Sequence, residues 1–410
     1  MTRNLLLAAT LAGFGLLSLT LGAQAREIPT GGPVAPGRIS PPTVTPMLQQ
    51  GASTRSVVES REAGIAWLKT AQAADGGWGA GAFGQAQGAT TDAATTAMSV
   101  LALVRDGGVK GPHKAQIERG VRYLVKAVET GPRNDPRVAT PTGTQPQGKL
   151  GQLVDTHMTA LALAQVAGQL PAELDAQVQV ALDTVVGKVQ LAQQADGSFD
   201  GNGWAPVLSN SMAAMSLVEA KKKGADVAPS AIAQADRWQA GLYDEESGSF
   251  DASTGAGVNL YSVASSMRLD QQAKERGVGG AGKAEAAARA AVAGPAAEAL
   301  IAGFGSIGGE EMLSYMMISD TLAEQGGEEW TSWDGKIGDY LASIQGADGS
   351  WSGHHCITSR TFVTATALLT LGAGEHARRG TGSGAGGRTV GSVRPSTEQV
   401  FGSDRFGLTR

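Results

Sequence analysis

The side chains whose types and spacing could do chemistry lie at or just before the start of three segments that carry little charge. Asp92 opens one, Asp155 and His157 open a second, and the run His354-His355-Cys356 precedes a third. Two carboxylates on one rim, Asp92 and Asp155, suit general acid and base work on a sugar. A mixed His, Cys and Asp set suits zinc and the activation of a bound water. The candidate ligands are therefore His157, His354, His355 and Cys356, with zinc as the candidate cofactor. Each group also has a plainer role. Asp at the first position of a helix caps backbone N–H groups, histidines in a polar loop can simply be solvated, and a lone thiol can be buried and inert. Both readings stand at this level.

Helices must position these groups, and a repeat organises the helices. The segments WLKTAQAADGGWG (67–79), VQLAQQADGSFDG (189–201) and YLASIQGADGSWSG (340–353) each end a helical stretch in Gln-x-x-Asp-Gly-Gly/Ser-aromatic. The residues concerned are Gln72, Asp75 and Trp78; Gln193, Asp196 and Phe199; Gln345, Asp348 and Trp351. A weaker copy, SGSFD, spans 247–251. Gly after Asp stops a helix because it takes a left-handed backbone that other residues resist. Gln then offers an amide to unsatisfied backbone groups at a neighbouring helix end.

A helix of different character follows each turn. Residues 90–104, 154–168, 208–220 and 358–372 are almost free of charge on every side, as a helix surrounded by protein would be. Their partners keep a polar stripe and read as outward-facing. Two less regular pairs, 231–243 with 259–275 and 283–303 with 310–325, complete six outer and six inner helices, with Gly294-Pro295 expected to interrupt one. The predicted fold is all-α: an (α/α)6 barrel, with an open solenoid as the alternative.

The repeated motif resembles the prenyltransferase/squalene-oxidase (QW-type) repeat of squalene–hopene and oxidosqualene cyclases and protein prenyltransferase β subunits. That resemblance covers about 57–372 and implies a toroid whose cavity takes an isoprenoid-like, apolar small molecule. Met98, Met158, Met212, Met267, Tyr315 and Met316 of the inner helices would then line it. The catalytic signatures of those families do not carry over. No two Asp residues are adjacent, so the Asp-x-Asp-Asp of the cyclases is missing. Cys356 has neither the preceding Asp nor the later His of the prenyltransferase zinc set.

Composition bounds the rest. The 410 residues carry 33 basic and 38 acidic side chains, a net charge of −5 without basic clusters, which argues against nucleic acid as a partner. At 42% hydrophobic the chain can build a large core, and one Cys excludes an internal disulfide framework. Residues 1–25 read as a signal peptide, with Arg3, an apolar run, and Ala23-Gln24-Ala25 before Arg26. The alternative is an uncleaved anchor, and no later segment is apolar enough to span a bilayer. Six prolines make 26–55 an extended linker, 56–372 is the toroid, and the Gly-, Ser- and Arg-rich 373–410 reads as a disordered tail. Three functions follow: an exported toroid binding an apolar chain, a carbohydrate-active barrel enzyme, or a non-catalytic scaffold for protein partners.

Overall fold

The computed structural model describes residues 54–83, 90–199, 203–251, 259–279, 282–302 and 308–382. The expected leader, all but the end of the expected linker, and residues 383–410 lie outside these. In chain order, α1 (Val57–Thr70) and α2 (Ala93–Gly107) precede α3 (Lys114–Thr130), a short α4 (Gln145–Leu150) and α5 (Val154–Val166). Next come α6 (Ala172–Ala192), α7 (Pro206–Lys222), α8 (Pro229–Ala240), strands β1 (Tyr243–Asp244) and β2 (Ser249–Phe250), and α9 (Asn259–Glu275). Last are α10 (Lys283–Val292), α11 (Gly294–Ala302), α12 (Glu311–Gln325), α13 (Gly327–Ser343), α14 (Arg360–Leu371) and α15 (Ala373–Gly382).

Helices α2, α5, α7, α9, α12 and α14 pack each on the next, and α14 packs back on α2, closing a ring. Outside it stand α1, α3, α6, α8, the α10–α11 pair and α13. The architecture is an (α/α)6 toroid. Inner helices lie within three residues of their expected limits, and Gly294 (φ 50°) with Pro295 breaks the fifth outer helix in two. Amphipathicity separates the layers. On α3 only a stripe of Ile117, Gly120, Val121, Leu124, Val125 and Val128 is buried, whereas on α2 nearly every residue is. Among the described residues no helix is long and apolar enough to cross a membrane.

The repeated turn is the stitch of this ring, and its three strong copies have one geometry. Gln72 Nε2 donates to Gly76 O at 2.8 Å and to Gln116 O at 3.0 Å. Gln193 does the same to Gly197 O and Ala231 O, and Gln345 to Gly349 O and Ser60 O. Gln116, Ala231 and Ser60 sit near the start of the next outer helix, so each Gln ties one outer helix to its successor. The third tie joins the last outer helix to the first. The acceptors are carbonyls in a helix's first turns rather than the unsatisfied end groups expected. Gly76, Gly197 and Gly349 have φ of 89°, 94° and 90°, and a Cβ there would lie 2.2–2.7 Å from a carbonyl of that next helix. The aromatic then points inward: Trp78 and Trp351 are at most 1% exposed, and their indoles donate to Leu68 O and Leu341 O at 2.8 Å. Loss of such a buried ring typically costs about 3–5 kcal/mol. The weak copy makes only the β1–β2 hairpin, with Tyr243 edge-on to Phe250.

Two short helices cover the ring's ends. At the end where the inner helices start, α4 is lashed on both sides. Gln145 Oε1 accepts from the Thr358 and Ser359 amides at 2.7 and 2.9 Å, and Lys149 O accepts from Trp204 N at 2.7 Å. At the opposite end α15 packs on α12, α2 and α14, with its Glu375 paired to Arg61. The expectation of a disordered tail from 373 onward is therefore corrected for 373–382. That stretch lacks an apolar stripe and is held by ionic and polar contacts, which composition does not reveal.

Candidate functional site

The mouth at the inner-helix N-termini gathers the sequence-selected residues into three separate places. Asp92 is the N-cap of α2: Oδ1 accepts from Thr95 N at 2.7 Å, and Oδ2 from Ala80 N at 2.8 Å and Thr95 Oγ1 at 3.0 Å. Asp155 Oδ1 accepts from Ala94 N at 2.8 Å, and its Oδ2 from Gln147 Nε2 at 2.5 Å. Gln147 in turn takes the Thr142, Gly143 and Thr144 amides on Oε1. The two carboxyls are 5% and 2% exposed. Burial, and for Asp92 also the Asp155 charge, raises both pKa values, that of Asp92 to about 7. Their oxygens hold α4, the start of α2 and the loop before it, the structural alternative to the catalytic role expected for Asp92 and Asp155.

His157 stands apart from the other proposed metal ligands. It is 0% exposed, edge-on to Phe199, with Nδ1 3.3 Å from Ser209 Oγ. Burial pushes its pKa down to about 3, so the ring is neutral. His354 is exposed on its loop. The ligand set expected from sequence thus loses these two members and gains one.

The gained member is Glu310, immediately before α12. The carboxylate of Glu310, the imidazole of His355 and the thiol of Cys356 bring ligand-type atoms within 4.8 Å of one another. His355 Nδ1 is 3.0 Å from Cys356 Sγ. Glu310 Oε1 accepts from Tyr261 OH, and Oε2 from Ile357 N, both at 3.3 Å. Cys356, half-buried, is the one non-glycine residue with positive φ (61°) among those described. Burial pushes its thiol up, Lys149 of α4 opposes this, and Glu310 adds to it. Neighbouring Glu311 is raised to about 8 by burial and by Glu310. Glu310 was missed because a Glu at a helix start reads as an ordinary dipole partner. A signal was present: Glu310-Glu311 is a charged pair opening an otherwise nearly uncharged inner helix.

The Met and Tyr residues expected to line a cavity are buried, and Tyr315 turns toward the outer layer, its OH donating to Ile301 O of α11 at 3.0 Å and its ring edge-on to Tyr340 of α13. Met98, Met158, Met212, Met267, Tyr315 and Met316 are each at most 2% exposed. A lumen wide enough for a hydrocarbon chain would leave its lining accessible to a water-sized probe, and these side chains are not. Burial of this degree is what close packing of Met, Leu and Ala among small Ser and Thr gives. Space is found at the mouth, where a crevice of about 570 Å³ lies between the second repeat turn and the start of α7. Its walls include Gln194, Asp196, Ser198, Ser209, Asn210 and Trp238. Beside it, Trp204 is 68% exposed with the Lys149 ammonium 4.3 Å from its ring centre.

No protein-family model matches the chain, and no curated protein matches its sequence. Among solved structures it is similar to an inactive variant of an α-1,6-mannanase of Salegentibacter sp. in complex with α-1,6-mannotriose. The identity is 11%, over 78% of this chain and 100% of that one, with a TM-score of 0.51. It also matches the apo structure of a type II terpene cyclase from Scytonema at 14% identity, over 78% of this chain and 98% of that one, with a TM-score of 0.36. The first likeness places the chain among α/α-toroid proteins.

Proposed function

We propose that the protein is an exported α/α toroid that binds a polyhydroxylated ligand, an oligosaccharide, at its mouth. The observation that carries this reading is the mouth crevice, a mixture of one half-buried indole, amides and hydroxyls beside a ring whose centre is filled. Such a lining suits sugars, whose apolar faces stack on aromatic rings while their hydroxyls exchange hydrogen bonds. The mannotriose held by the similar mannanase toroid is in keeping with it. Binding rather than hydrolysis is proposed because glycoside cleavage uses two carboxyls spaced across the scissile bond. Among the described residues the crevice has one, Asp196, which the Ser198 amide and hydroxyl hold ionised below its usual pKa within the repeat turn.

The test is calorimetric titration of soluble oligosaccharides into the purified protein and its Trp238→Ala variant. Saturable binding weakened about tenfold or more by loss of the indole is expected, matching the ~1–3 kcal/mol of a stacking contact. Binding that the variant leaves unchanged, or no binding to any soluble glycan, would remove the proposal and leave a scaffold role. Export predicts a mature chain beginning at Arg26, readable by intact mass of the secreted protein.

A further inference from the structure

We propose that Glu310, His355 and Cys356 form a transition-metal site of the zinc type at the mouth of the ring. The site is separate from the sugar crevice and does not depend on it. The three ligands come from two chain segments that the backbone holds in register. Gly308 pairs with His355 as a parallel bridge, and a Cβ on Gly308 would sit 3.0 Å from both Glu310 Oε2 and His355 Cε1. A Cβ on Gly309 would meet Ile357 O at 2.0 Å. Two consecutive glycines therefore let the Glu310 strand of chain run directly against the His355–Ile357 strand.

The donor chemistry is selective. Thiolate, imidazole and carboxylate together suit zinc, whereas magnesium and calcium prefer oxygen alone. Ligand atoms around tetrahedral zinc stand about 3.3–3.6 Å apart. The three here lie within 4.8 Å of one another, near that spacing before any ion binds. Cys356 holds a left-handed backbone that side-chain-bearing residues seldom adopt, and its thiol lies 3.0 Å from the imidazole of the residue before it. Glu310 is oriented by Tyr261 OH and Ile357 N, the outer contacts a ligating carboxylate needs. One thiolate and one carboxylate balance a divalent charge. Three protein ligands would leave a fourth position to water.

The full chain, stripped with chelator and dialysed against zinc, is expected to retain one equivalent by elemental analysis. Cobalt(II) in its place should give a thiolate-to-cobalt charge-transfer band in the near ultraviolet. Cys356→Ser should abolish that band, Glu310→Gln should weaken metal binding about tenfold or more, and His354→Ala should leave both unchanged, with circular dichroism reporting the fold throughout. Substoichiometric zinc in the wild type, or a band that survives Cys356→Ser, would overturn the site. Should Cys356→Ser not fold, undiminished affinity in Glu310→Gln would overturn it equally.

Discussion

Two buried titrating groups sit a few residues apart at the rim, and their acid responses oppose each other. His157 has a pKa of about 3 in the fold against an ordinary value of 6.5. It favours the fold above pH 6.5, and that stability is lost as pH falls toward 3, by up to about 1.4 kcal/mol per unit. The Asp92–Asp155 pair is raised in the fold, Asp92 to about 7. Its contribution is full below about pH 4 and is lost as pH rises through 7. Between pH 4 and 6.5 the two act in opposite directions. Burial lifts Asp92 most and the Asp155 charge adds to it, so Asp155→Asn removes one raised carboxyl and lowers the other, and should leave a protein whose melting temperature falls more steeply on acidification than the wild type's. His157→Gln should do the reverse, gaining stability from pH 7 to 5 relative to wild type. Parallel pH profiles for all three proteins would refute this pairing. At this scale the sequence marked the right residues but not their work. Asp92, Asp155 and His157 have the types of a reactive rim, and only burial and partner geometry show one N-cap, one tie between α4 and the start of α2, and a neutral buried imidazole.

Among elements, the contrast lies between helices that announce themselves and helices held by others. Four inner helices were legible because an uncharged surface all round has no other stable place, and three outer ones because Gln-x-x-Asp-Gly ends them. By contrast α4, QPQGKL, is six residues long, too short to form by propensity, and exists through the bonds of Gln145, Gln147 and the Lys149 carbonyl. α15 depends likewise on the groups beneath it. There Arg105 of α2 makes a two-pronged bond to Asp320 of α12 at 2.5 and 2.6 Å and donates to Leu369 O of α14 at 2.6 Å. Arg105 and Asp320 are 5% and 4% exposed, so removing one strands the other's charge. Asp320→Ala should cost about 3–5 kcal/mol in denaturant unfolding. The Lys283–Glu245 pair, 67% and 70% exposed, gives the control: Glu245→Ala should cost less than about 1 kcal/mol. Equal effects would show that the Arg105 clasp is not what holds this end.

At the largest scale the described helices form a ring: the inner helices pack round to α14 on α2, Gln345 joins α13 to α1, and α4 and α15 cover the ends. The repeat made a stack of paired helices readable from sequence, and the tie from Gln345 to Ser60 is what makes that stack a closed ring rather than an open solenoid. What fills the ring was not readable, because a Met stripe has the same pattern as core packing and as a hydrocarbon-binding wall. The same fold serves unrelated chemistries, so the architecture alone does not assign a function. The central claim is that this ring is filled by its own side chains and meets ligands at its rim. Native mass spectrometry of the protein purified from the compartment where it resides tests that claim most directly. The account predicts the mass of the polypeptide, with or without one metal ion, and no lipid in an organic extract. A stoichiometric adduct of polyisoprenoid mass that survives gentle ionisation would contradict it.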